Sequence, residues 1–309
     1  MPLSAFDRFN KLAAVCVLLG AIVALPGCDN SNSTGNSQTP ATTQAESAQA
    51  VEQQKFNLYV KAYNRLLDDT FGLLGTIRLY GEMKLDRAKP TDMFHAPSAG
   101  SYYTDAINDL KQGRNLSATG SEDADAAADA LLKTLPVVVS RINEIAPYFN
   151  GGAYREDKLA KGRAQDPATR AAFEDAMESL GQMDQALSSH QRRAQAEEAE
   201  ALRKEGNMPA YYTLNSLMLG TDMVNAMSQK DVAKADTIVP NLEASLEELR
   251  KSLIDYKDPV TKSSMSIVQS ALTNSIGFMR QYKELKHDSS IKAMMDSYNA
   301  AVGAANNLR

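Results

Sequence analysis

The chain has 309 residues, 23% of them charged and 6% aromatic, and a formal net charge of −5. A mildly acidic surface argues against binding to nucleic acid, and equally against docking on anionic lipid through a basic patch. The chain holds only two cysteines, Cys16 and Cys28, so we expect the fold to depend on its core rather than on disulfides.

Residues 1–27 have the order of an export signal. Arg8 and Lys11 form a short basic start, and an uncharged apolar run follows from Leu12 to Leu25. The run is shorter than the ~20 residues that a helix needs to span a bilayer. It closes on Leu25-Pro26-Gly27-Cys28, which resembles the lipobox of bacterial lipoproteins.

The lipobox resemblance implies that a peptidase cuts before Cys28 and that Cys28 carries the lipid. The partner of the N-terminus would then be the membrane, since several acyl chains anchor a protein stably where one holds it marginally. Asp29 resembles the residue that retains enteric lipoproteins in the inner membrane, which favours the inner over the outer membrane. The alternative is an ordinary secretory signal cut elsewhere, with Cys28 incidental.

Residues 28–53 are predicted to be the lipidated cysteine and a flexible linker. Asn, Ser, Thr, Gln and Ala dominate there, and no large apolar residue precedes Val51. Such a composition buries too little apolar surface to offset the entropy of ordering. As a coil its ends would lie ~27 Å apart, which keeps the following domain near the membrane.

Residues 54–309 are predicted to form a single all-α domain. Apolar residues recur at spacings of three and four, which predicts a bundle of about six to eight antiparallel amphipathic helices, some of them long. The stripes run over residues 56–77, 131–149, 173–187, 214–227, 242–253, 268–282 and 291–308. No sustained alternation of β-branched residues is present, so we expect no strands.

Capping residues predict several helix starts. Asp166-Pro167 and Asp258-Pro259 each place a capping carboxylate before a proline suited to the first helical position. Ser228 with Asp231 resembles a capping box. Pro136 predicts a kink or a helix start within its periodic segment.

Two regions carry less periodicity. Residues 84–120 are predicted to be a long loop with one short helix over 104–111. The Pro167 helix is predicted to reach about Lys204, and its polar second half, 191–204, fits a solvated helix or, as the alternative, a partner-binding coiled coil.

We expect no metal, no cofactor and no enzymatic activity. His95, His190 and His287 lie far apart in the sequence, and the Glu-x-x-His pair of Glu284 and His287 occurs once where di-iron bundles need it twice. A histidine at a helix end also offsets the helix dipole. No phosphate loop, nucleophile elbow or zinc motif appears. The methionines fall on the apolar stripes, which favours core packing over a soft-metal site; examples are Met177, Met183, Met218, Met223, Met227, Met294 and Met295.

Several segments resemble the YiiG family of bacterial lipoproteins, whose domain has no known function. They are Tyr59–Asn64, Ile142–Glu144, Tyr154–Gly162, Tyr211-Tyr212, Tyr298-Asn299 and Asn307–Arg309. The chain is shorter than typical members around residues 84–120. The resemblance implies a signal, a linker and a helical domain, and it brings no catalytic residue.

Two functions follow from these observations. The first is a lipid-anchored, non-enzymatic interaction module that faces the periplasm and binds another envelope protein or a peptide. The second is a small-ligand-binding module with a pocket between helices near Tyr63, Tyr154 or Tyr211. The polar groups of Tyr63-Asn64, and of Tyr154 with Asp157 and Lys158, fit either a structural contact between helices or the rim of such a pocket.

Overall fold

The computed structural model describes residues 40–308, and side chains from residue 48 onward. The predicted signal peptide, Cys28 and Asp29 lie outside the described residues. Within the described range the protein is all-α, which confirms the predicted fold class. Nine helices are present there instead of six to eight, because the first predicted stripe is divided and the loop over 84–120 contains a longer helix than expected.

The described residues fall into two compact units, separated within the longest helix. The N-terminal unit extends to His190 and the C-terminal unit runs from Gln191 to Leu308. The prediction that residues 54–309 form one domain stays a prediction, since a domain is defined by independent stability as well as by packing. None of the described helices combines the length and the apolar character needed to cross a membrane.

The N-terminal unit is built on two packed helices, α1 and α3. Its elements are α1 (Pro40–Leu67), α2 (Leu73–Glu82), α3 (Ser101–Asn115), α4 (Glu122–Asn150), a 3-10 turn (Ala153–Arg155) and the first part of α5 (Ala160–Lys204). Helix α1 packs mainly along α3, and α3 packs on α4. The largest buried side chains of this unit are aromatic: Tyr59, Tyr63, Tyr80, Tyr103 and Phe149.

The C-terminal unit consists of two helical hairpins and the last part of α5. Its helices are α6 (Met208–Ser228), α7 (Val232–Ser252), α8 (Pro259–Leu285) and α9 (Asp288–Asn306). Helix α6 packs on α7, and α8 packs on α9. Met223, Met227 and Met294 are fully buried in the shared core, as the core-packing interpretation of the methionines predicted.

The start of α8 agrees with the sequence, whereas the cap of α7 differs from the predicted one. The carboxylate of Asp258 accepts hydrogen bonds from the backbone N–H groups of Val260 and Thr261, so Asp258 caps α8 as predicted. Asp231 caps α7 by accepting from the backbone N–H of Lys234. Ser228 is the last residue of α6, so it forms no capping box with Asp231.

The prolines within α4 and α5 do not begin helices. Helix α5 begins at Ala160, and Pro167 lies inside it, so the start predicted at Asp166 is wrong. The carboxylate of Asp166 instead accepts hydrogen bonds from Arg170, one turn later, and from the Tyr80 hydroxyl. Pro136 lies within the continuous helix α4, where Leu135 and Val138 are both fully buried, and this packing outweighs one missing backbone hydrogen bond.

Residues 40–53 are helical, although the composition had indicated a coil as far as Gln53. Ala, Gln and Glu have high helix propensity, and a helix is propagated easily once the amphipathic part of α1 has formed. In the same way α3 covers Ser101–Asn115, beyond the short helix predicted over 104–111.

Candidate functional site

A buried ion pair joins α1 to the start of α4. Lys55 is 1% exposed, an unusual position for an ammonium group. Its Nζ donates to Oδ2 of Asp125 at 2.7 Å and to the backbone carbonyl of Leu116 at 2.9 Å. A buried charge is tolerated when it is paired and hydrogen-bonded in this way.

Asp125 is the centre of a polar cluster. The Tyr59 hydroxyl, one turn after Lys55, donates to Oδ1 of Asp125 at 2.5 Å. The Ser121 hydroxyl lies 3.2 Å from Oδ2, and the Arg114 guanidinium lies 2.9 Å from it. Asp125 is also in the first turn of α4, where the helix dipole favours a negative charge. These five residues, Lys55, Tyr59, Arg114, Ser121 and Asp125, are called the Lys55 cluster below.

The surroundings within the Lys55 cluster shift the pKa values of Asp125 and Tyr59. Burial raises the pKa of Asp125, but the hydrogen bonds from Lys55 and Tyr59 outweigh it and hold the pKa below the ordinary value of 3.8. Burial, together with the hydrogen bond to Asp125, raises the pKa of Tyr59 well above its ordinary value. At neutral pH Asp125 is therefore charged and Tyr59 is neutral, so the Tyr59 hydroxyl donates a hydrogen bond that stabilises the contact between α1 and α4.

A second carboxylate connects α1 to α3. Asp109 is 5% exposed and lies on the face of α3 that packs against α1. Its Oδ1 is 3.3 Å from Nζ of Lys61, and its Oδ2 accepts a hydrogen bond from Arg65. Helix α1 thus carries three cations, Lys55, Lys61 and Arg65, that pair with carboxylates of neighbouring helices.

Buried tyrosines of the N-terminal unit repeat the pattern seen at Tyr59. The hydroxyl of Tyr63 donates to Asp184 at 2.7 Å, and the hydroxyl of Tyr148 donates to Asp157 at 2.7 Å. Burial and the bond to Asp157 raise the pKa of Tyr148 to about 12. Each of these hydroxyls donates one hydrogen bond that links two segments of the unit.

Each of the three tyrosines expected near a ligand pocket has its own contacts within its unit. Tyr63 is buried, and its hydroxyl is engaged by Asp184. Tyr154 is also buried and donates to the Asp92 carbonyl at 2.8 Å. Tyr211 belongs to the C-terminal unit, where its ring contacts that of Tyr212. Asp157 accepts from the backbone N–H of Lys161 at the start of α5, which favours the structural interpretation of that segment.

The three histidines lie in different elements of the chain. His95 is exposed in the loop before α3, while His190 stacks on Phe56 with Nδ1 3.6 Å from Glu52. Helix α8 ends at Leu285, so Glu284 and His287 do not share a helical face. Across residues 48–308 no three His, Cys, Asp or Glu side chains are grouped as metal ligands.

Two open grooves on the described surface are each lined by a single helix. One, of about 320 Å³, is lined by Ala50, Gln53, Gln54, Asn57, Leu58 and Lys61 of α1. The other, of about 360 Å³, is lined by Ser263, Ser266, Ile267, Ser270, Ala271 and Asn274 of α8. Each is the outer face of a helix, so each offers a strip for another helix rather than an enclosed space for a small molecule.

Comparison with known proteins identifies one family. The family model described as a protein of unknown function, DUF3829, matches residues 50–306. No curated protein and no solved structure matches the chain. The match covers the Lys55 cluster and all the helices from α2 to α9. The chain therefore belongs to the DUF3829 family of proteins of unknown function.

Proposed function

We propose that this protein is a lipid-anchored bacterial envelope protein, related to the YiiG-like lipoproteins, with a non-enzymatic interaction module that faces the periplasm. The observation that carries the proposal is Leu25-Pro26-Gly27-Cys28, directly after the apolar run Leu12–Leu25. Acyl chains on Cys28 attach the protein to a membrane. Asp29 favours the inner membrane as its place.

The interaction role is supported by the polar groups of the N-terminal unit, which bond to one another. The Lys55 cluster and the tyrosine–aspartate pairs are engaged with one another inside the N-terminal unit, where they stabilise contacts between segments. The ligand-binding alternative has less support, because the hydroxyls of Tyr63 and Tyr154 already donate within the protein. The outer helix faces are then the surfaces on which a partner can dock.

The anchor is tested by replacing Cys28 with serine. Serine offers no thiol for acylation, so we expect Cys28→Ser to abolish incorporation of labelled palmitate and to leave an unprocessed precursor. The measurement is fatty-acid labelling in cells, followed by electrophoresis of the envelope fraction.

Cys16 supplies the matched control. It lies within the apolar run of the signal, so Cys16→Ser should leave labelling and processing unchanged. Undiminished labelling of the Cys28→Ser variant would contradict the proposed anchor.

A further inference from the structure

The outward face of α8 is uncharged along most of its length. Its exposed residues recur at spacings of three and four and are Val260, Ser263, Ile267, Ser270, Asn274 and Gly277, here called the α8 face. The face covers about five turns in a chain of which 23% of residues are charged. Val260 is 70% and Ile267 50% exposed, so two large β-branched side chains point away from the core.

Three hydroxyl groups on or beside this face are already hydrogen-bonded within the helix. Ser266, Ser270 and Thr273 each donate to the carbonyl four residues earlier, at 2.8–2.9 Å. A hydroxyl whose proton is used in this way loses little when water is removed from it. The α8 face is therefore polar in composition but suited to being covered by another helix.

The α8 face also has a seven-residue repeat of large and small side chains. Val260, Ile267 and Asn274 form the larger series. Ser263, Ser270 and Gly277 follow three residues later as the smaller series, and beyond Gly277 there is open space. Alternation of larger and smaller residues at heptad spacing is the pattern of a seam between two helices.

An antiparallel pairing of two identical α8 helices matches these series to each other. With a two-fold axis between residues 268 and 269, Ile267 faces Ser270 of a second copy. The same axis places Val260 opposite Gly277 and Asn274 opposite Ser263. Every layer then combines one larger and one smaller residue, and no charged group lies between the copies within these layers.

We propose that the protein forms a two-fold symmetric, antiparallel dimer through the α8 face. A symmetric interface must be complementary to itself, and this face meets that condition in shape and in charge, whereas the net charge of −5 makes the two copies repel elsewhere. The proposal names a partner for the interaction role proposed above, yet the interface does not depend on the acyl anchor.

The size of the α8 face predicts a weak dimer. The α8 face is one helix wide and about five turns long, so we expect a dimer through it to bury less than the ~1,200 Å² of stable complexes. We therefore expect exchange between monomer and dimer in solution. Attachment of both copies to one membrane would raise their effective concentration and favour the dimer.

Crosslinking of full-length variants that each carry one added cysteine, in envelope membranes, tests the pairing. Across the two-fold axis the two copies of residue 267 lie ~4.5 Å apart along the helices, and the two copies of residue 260 lie ~25 Å apart. We expect a short thiol crosslinker to join Ile267→Cys into dimers and to leave Val260→Cys monomeric. The unaltered chain is the control for any crosslinking through the native cysteines. Crosslinking of both variants, or of neither, would overturn the proposed antiparallel dimer.

A charge on the α8 face should separate the two copies. Ile267→Lys places two ammonium groups near the axis, so we expect self-association of full-length protein in detergent, followed by sedimentation, to weaken about tenfold or more. Leu285→Lys is the matched control, because Leu285 is also 50% exposed on α8 but lies beyond the paired layers. Equal association of both variants would overturn the proposal, whereas loss of labelling in Cys28→Ser reports on the anchor alone.

Discussion

Replacement of Asp125 by alanine is expected to lower the free energy of unfolding by about 3–5 kcal/mol, the typical loss when one partner of a buried ion pair is removed. Lys55 is 1% exposed, and its ammonium group would retain only the Leu116 carbonyl as a partner. The Tyr59 hydroxyl would lose its acceptor as well. Urea unfolding of the variant, followed by circular dichroism, measures the loss.

Asp129 provides the matched control for Asp125. It lies one turn later on α4 and also pairs with Arg114, at 2.7 Å, but its side chain is 57% exposed. An exposed ion pair contributes at most about 1 kcal/mol, so Asp129→Ala should have a small effect. Equal losses for the two alanine variants would show that burial of Lys55 does not make the Asp125 contact critical.

The carboxylate of Asp125 should also make the stability of the protein depend on pH. The pKa of Asp125 is lower in the folded protein than its ordinary value of 3.8, so the folded state favours the charged form. Its contribution to stability is complete above the unfolded pKa and is lost as the pH falls through the folded pKa. We expect unfolding midpoints measured at pH 7 and pH 3 to differ more for the unaltered protein than for Asp125→Ala.

The helices of this fold are predictable where local chemistry decides them. Asp258 and Pro259 define the start of α8 because the cap and the fixed φ of proline act within one turn. The apolar stripe over residues 56–77 shows where prediction from spacing fails. The Asp68 side chain accepts from the backbone N–H groups of Thr70 and Phe71, which ends α1 and leaves Phe71 60% exposed although its spacing continues the apolar pattern. Periodicity alone does not distinguish this turn from a continuing helix.

The sequence could predict that Lys55 is buried, but not which carboxylate pairs with it. Lys55 lies four residues after Val51 and four before Tyr59, so its spacing places it on the buried face of α1. That position signals a buried cation in need of a partner. The partner, Asp125, is 70 residues away, and only the packing of α4 decides which of many carboxylates reaches Lys55.

Replacement of Gly113 by alanine should destabilise the N-terminal unit by about 1–3 kcal/mol, as overpacked cores generally do. A Cβ at residue 113 would clash with the Tyr59 ring, where Cδ1 would be 2.8 Å away. The ring cannot easily move, because Tyr59 is fully buried and its hydroxyl is held by Asp125. The change would therefore disturb the Lys55 cluster through the Tyr59 ring.

Replacement of Gly81 by alanine, in the same unit, should not lower the stability of the protein. It lies near the end of α2, as Gly113 lies near the end of α3, and a Cβ there would meet nothing within 4 Å. Alanine favours the helix over glycine by up to about 1 kcal/mol, so Gly81→Ala should leave stability unchanged or raise it. The two variants, compared by urea unfolding, separate the steric effect from helix propensity.

A second change at Tyr59 identifies the origin of the Gly113 effect. Tyr59→Leu removes the ring atoms that the new Cβ would meet, while Tyr59→Phe keeps them and removes only the hydroxyl. If the clash dominates, Gly113→Ala will cost much less in the Tyr59→Leu background than in the unaltered protein, and about the same in the Tyr59→Phe background. An undiminished loss in the Tyr59→Leu background would show that the Gly113 effect does not arise from contact with the Tyr59 ring.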